Sequence, residues 1–124
     1  MKVTIEVIPN EQQRYPTVGD WQWDGDDLTI SVSQMGNWRY EMLVAVHELV
    51  ECLLCRERGI RQEDVDEFDR RYESTRAKFN LNEPGDEPFA PYYHEHQFAT
   101  CIERLLANEL GLNWQIYEGV VNEL

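Results

Sequence analysis

The chain has 124 residues, 42% of them hydrophobic, which suits a single domain with one modest core. Its 24 acidic residues against 11 basic ones give a formal charge of -13, which argues against nucleic acid or an anionic membrane as a partner, because phosphate neutralisation takes clustered cations. No apolar run approaches the roughly 20 residues of a membrane span, and the opening stretch from Met1 to Ile8 is too short and polar for a secretory core.

Val3, Ile5 and Val7 alternate with Lys2, Thr4 and Glu6, the two-residue period of a half-buried strand, and Pro9-Asn10 ends it. Turn signals at Tyr15-Pro16 and Val18-Gly19-Asp20 lead into Trp21-Gln22-Trp23. The break Asp24-Gly25-Asp26-Asp27 separates these from Leu28, Ile30 and Val32, which alternate again. Two or three short strands in an antiparallel sheet are predicted, with Trp21 and Trp23 on one face of the middle strand.

After Gly36-Asn37 the period changes. From Trp38 to Arg58, Met42, Leu43, Val46, Leu49, Val50, Leu53 and Leu54 recur at helical spacing, and Gly59 follows as a stop. A second helix over about residues 62 to 79 has a thin apolar face of Val65, Phe68, Tyr72 and Phe79, and belongs on the surface. Pro84, Gly85, Pro88 and Pro91 exclude regular helix from Asn80 to Pro91. A further helix is predicted from about Tyr92 to Leu110, ending at Gly111, and the tail to Leu124 is apolar enough to dock as a short helix. The expected fold is therefore α+β: one domain over residues 1 to 124, with a small N-terminal antiparallel sheet packed against three or four helices.

Three cysteines, an odd number, fall in segments that read as helix, which fits reduced thiols in a cytoplasmic protein. Cys52-Leu53-Leu54-Cys55 has a metal and redox spacing, but a lone CxxC inside an amphipathic helix reads first as core packing, with Cys55 an outside candidate ligand. Trp21, Trp23 and Trp38 read as core or rim, or as the lining of a pocket.

The chemistry concentrates in two helices. In His47-Glu48-Leu49-Val50-Glu51, His47 and Glu51 lie one turn apart on a common face and could bridge a cation. Glu48, about 100° around the helix, could lean over the same ion as a general base. In the later helix, Glu95 falls in the apolar centre marked by Ala99, Ile102 and Leu106, where a carboxylate needs a partner or the helix N-terminus to offset its charge. His96 and Glu103 share one edge of that stripe, whereas His94 aligns with Phe98 and Cys101. His96 is the preferred ligand. All three histidines lie in these two helices beside glutamates. The candidate metal ligands are His47, Glu51, His96, Glu95 and Glu103, with Glu48 as catalytic base. Three protein ligands and an open position suit a catalytic rather than a structural zinc site.

The stretch Val44-Ala45-Val46-His47-Glu48-Leu49-Val50-Glu51 resembles the active-site helix of the zincin-like metallopeptidases, with a glutamate in place of the second histidine. The order of strands, His-Glu helix and later ligand-bearing helix resembles that minimal fold as well. It also looks like short bacterial or prophage-type proteins. The resemblance implies a metal-dependent hydrolase holding zinc, and the harder carboxylate ligand would admit Mn²⁺ or Fe²⁺ beside it. Two other functions compete. Glu48-x-x-Glu51 followed by Glu63-x-x-Asp66 is similar to an all-α nucleotide pyrophosphohydrolase of the MazG kind, against which the strand-like first 33 residues speak. The third reading is a non-enzymatic interaction or accessory protein. The substrate is not legible in any of these readings.

Overall fold

The computed structural model describes residues 1–77 and 80–124. Three strands, β1 (Val3–Ile8), β2 (Gly19–Asp24) and β3 (Asp27–Ser33), precede four helices, α1 (Trp38–Glu57), α2 (Gln62–Ser74), α3 (Tyr93–Glu109) and α4 (Trp114–Asn122). The fold is α+β, with the sheet N-terminal as expected, but the sheet is mixed and not antiparallel.

Its order is β1-β3-β2. β2 and β3 form an antiparallel hairpin around Gly25, whose φ of 61° supplies the positive angle that a two-residue connection demands. β1 instead runs parallel to β3, with Val3 beside Leu28 and Ile5 beside Ile30. The ten residues between β1 and β2 carry the chain across the sheet, so the Trp21 strand becomes an edge and β3 the centre. Alternation revealed the strands but could not reveal this order, because a period of two is the same in parallel and antiparallel partners.

Leu28, Ile30 and Val32 of the central strand are fully buried against α1, which contributes Leu43, Val44, Ala45, Cys52 and Cys55 to the same core. Val3, Ile5 and Val7 point to the same side but remain 42–46% exposed, because β1 overhangs the helical layer. α1 starts where Asn37 accepts a hydrogen bond from the Arg39 backbone N–H at 3.0 Å, and it stops before Gly59, at φ 70°. α1 and α3 pack directly on each other. α4 docks on this pair through Tyr117, which is 2% exposed and set against the ring of Tyr40.

α2 departs from a simple surface helix. It ends at Ser74, where the Ser74 and Thr75 hydroxyls donate back to the Arg71 carbonyl at 2.8 and 3.0 Å and compete with further helix. Phe79, assigned above to its apolar face, lies outside the described residues. Its inward side buries Asp66 and Asp69 beside Val65. Arg14 offsets the first, binding Asp66 and Asp20 together, while the Tyr15 and Tyr92 hydroxyls donate to Asp69 at 3.0 and 2.5 Å. The segment before β2 is thereby strapped to α2. Among the described residues, no helix is long and apolar enough to cross a membrane.

Candidate metal centre

α1 and α3 converge on three side-chain atoms. His47 Nε2 is 3.1 Å from Glu51 Oε2 and 3.1 Å from His96 Nδ1, and His96 Nδ1 is 2.9 Å from the same Glu51 oxygen. The i, i+4 spacing on α1 puts His47 and Glu51 on one face, and α3 supplies His96 opposite. All three residues are buried.

Each of the three is oriented by a partner behind it. His47 turns Nδ1 to Glu103 at 2.8 Å, and Glu103 in turn accepts from the Tyr117 hydroxyl at 2.6 Å. His96 turns Nε2 to Glu83 at 3.1 Å and Asp86 at 3.2 Å. Trp21 Nε1 donates to the other oxygen of Glu51 at 3.1 Å. Carboxylates behind imidazoles fix the ring and raise its basicity, the arrangement that metal-binding histidines adopt.

The electrostatics follow from this crowding. Burial opposes charge on both rings, but the carboxylates outweigh it: Glu103 and Glu51 hold His47 well above the ordinary imidazole range, and Asp86, Glu51 and Glu83 do the same for His96. Burial would raise Glu51 too, yet the hydrogen bonds from the two rings hold it well below the usual carboxylate range. The unusual contact is between the two rings. Nitrogens 3.1 Å apart cannot both carry protons without setting two donors against each other, so at most one of the two donates.

Glu48 stands differently. Its carboxyl lies against β2, where a Cβ on Gly19 would come within 2.7 Å of its Oε1, so that only glycine leaves it room. Burial first, then repulsion by Glu51, lift its pKa well above the ordinary value, and His47 relieves part of this. A cavity of about 360 Å³ opens over the cluster, with His47, Glu48, Glu51 and His96 in its wall. The wall also carries Asp69, which burial foremost pushes up to about 7.

The structure thus brings His47, Glu51, His96 and Glu103 together, with Glu103 behind His47. Glu95 is placed elsewhere: it is buried, but its Oε2 accepts from Arg58 at 2.6 Å, so the partner its position demanded is an arginine. His94 is exposed, against the ring of Tyr93. Cys52 and Cys55 are both in the core with no bond to the cluster, and burial pushes the Cys52 thiol up to about 12. Glu63 is exposed, and Asp66, held by Arg14, lies in the wall of the same cavity as Glu48 and Glu51. Of the tryptophans, Trp21 is at the site, Trp23 lies under Arg56, and Trp38 is exposed under Arg39.

Glu83, Asp86, Trp21 and Tyr117 join the site without having been singled out as ligands or supports. Only Trp21 carried a signal, as a candidate pocket residue. Comparison with known proteins returns no match to any protein-family model, curated protein or solved structure.

Proposed function

We propose that the chain is a divalent-metal protein of zincin-like type, with His47, Glu51 and His96 as ligands and hydrolysis as its reaction. The observation that carries this is the triangle of lone-pair atoms with edges of 2.9–3.1 Å, each backed by its own hydrogen-bonding partner. Bonds of about 2.0–2.1 Å in a tetrahedral site would space ligand atoms at roughly 3.3 Å, so small side-chain rotations accommodate zinc. Two imidazoles and a carboxylate are a donor set that catalytic zinc sites use.

A bound ion would act as a Lewis acid and lower the pKa of water to near 7. Glu48, whose pKa is raised, would take the proton from that water and later give it back. Glu51 would be kept from that role by serving as a ligand itself. The cavity has Glu48 in its wall beside His47, Glu51 and His96. Zinc fits the imidazoles, and the carboxylate also admits Mn²⁺ or Fe²⁺.

The test is hydrolysis of a mixed peptide and ester library by the zinc-loaded protein beside Glu48→Gln. The reading expects cleavage that is abolished in the variant while its metal content is retained. Equal cleavage by both would remove Glu48 from the mechanism.

A further inference from the structure

Resting on the metal-site reading above, we propose that Glu83 is a fourth protein ligand, so that the segment crossing His96 closes the ion's remaining position until an incoming ligand displaces it. Glu83 offers an oxygen within 4.8 Å of one ring nitrogen each of His47 and His96, and its Oε2 stands 3.1 Å from His96 Nε2. To share an ion with His47 Nε2 and His96 Nδ1, its side chain swings off the Nε2 edge of the ring and closes to roughly 3.3 Å from each.

Orientation of His96 does not require it. One ring N–H needs one acceptor, and Asp86 is the fixed one. Asp86 Oδ1 faces His96 Nε2 at 3.2 Å and accepts from Gln97 at 3.1 Å, while its Oδ2 accepts from the Glu83 backbone N–H at 3.1 Å. Glu83 is the surplus carboxylate at this ring, with a side chain 49% exposed and able to leave without disturbing the core.

The backbone delivers it there deliberately from both sides. Arg76 Nη1 donates to the carbonyls of Asn80 and Asn82 at 2.7 and 2.8 Å, and the Tyr72 hydroxyl also reaches Asn82 at 3.1 Å. Two residues beyond Glu83, Gly85 lies so flat on the imidazole that a Cβ there would meet the His96 ring at 2.3 Å. The charge balance points the same way. Glu51, Glu83, Asp86 and Glu103 surround two imidazoles, leaving excess negative charge for a divalent ion even when both rings are protonated.

The test is Co²⁺ loading of the full chain, read by visible absorption and by azide titration. The wild type is expected to take up one Co²⁺ with the intense bands of a four-coordinate site and to bind azide weakly. Glu83→Gln and Glu83→Ala should keep Co²⁺ in a four-coordinate site, shift its visible bands as water replaces the carboxylate, and bind azide roughly tenfold more tightly. Asp86→Asn should weaken Co²⁺ binding without that gain in azide affinity. Spectra and azide affinity unchanged in both Glu83 variants would overturn the proposal and leave the three-ligand site standing. Failure of the wild type to take up Co²⁺ at all would overturn both.

Discussion

His47 Nδ1 stands 2.8 Å from Glu103 Oε1, so a carboxylate on α3 fixes the ring on α1 whose other nitrogen faces Glu51. Because Glu103 selects the tautomer that leaves Nε2 free for an ion, Glu103→Gln is expected to cut zinc affinity by about 10–100-fold. Tyr117→Phe, one bond further back, should cost less. Competition with a chromophoric chelator measures both, and wild-type affinity in Glu103→Gln would show that the ring is held by something else.

Gly19 is required for space and not for its backbone angles. A Cβ there would meet Val44 Cγ1 and Glu48 Oε1 at 2.7 Å. Gly19→Ala should therefore destabilise the protein by about 1–3 kcal/mol as the α1 side chains are forced aside. Urea denaturation checks this, and a stability equal to wild type would mean that β2 and α1 separate freely.

Asp69 gives the fold a pH dependence of definite sign. Its folded pKa of about 7, raised by burial first and then by Glu51 and Asp66 against the lowering from the Tyr92 and Tyr15 hydroxyls, lies above the ordinary 3.8. Between those values the unfolded chain has released the proton and the folded chain retains it, so stability falls as pH rises from about 4 to 7, by at most about 4 kcal/mol. Asp69→Asn has no such proton. Its stability relative to wild type should improve across that window in urea melts at a series of pH values, and a constant difference would contradict the assignment.

Arg58 and Glu95 form a pair apart from the cluster of His47, Glu51 and His96. The Glu95 side chain is 7% exposed and that of Arg58 51%, so solvent screens one end. Removing Arg58 strands a buried carboxylate, and Arg58→Met is expected to cost about 1–3 kcal/mol, less than breaking a fully buried pair. Glu95→Gln should leave zinc stoichiometry unchanged. Loss of zinc in that variant would return Glu95 to the ligand set.

Helical period made α1 legible almost to the residue, since Asn37 and Gly59 mark its ends in the sequence. The same period put His47 beside Glu51, and the edge that His96 shares with Glu103 set it apart from His94. What faces what across two helices is decided by packing, which is why Glu95, central on its own wheel, turned out to serve Arg58. Glu83 and Asp86 were invisible for another reason: they sit in a proline-rich connection without period, and reach His96 only because that segment folds over it. The parallel placement of β1 is a choice between distant partners that alternation does not encode. The exposed apolar edge of Val3, Ile5 and Val7 follows from that choice.

Elemental analysis of the purified protein beside His47→Ala and Glu51→Ala tests the central claim most directly. Close to one equivalent of zinc, manganese or iron per chain is predicted for the wild type, with loss from both variants while far-ultraviolet circular dichroism stays native. A wild type without metal, or metal kept in full by both variants, would contradict an ion held between α1 and α3.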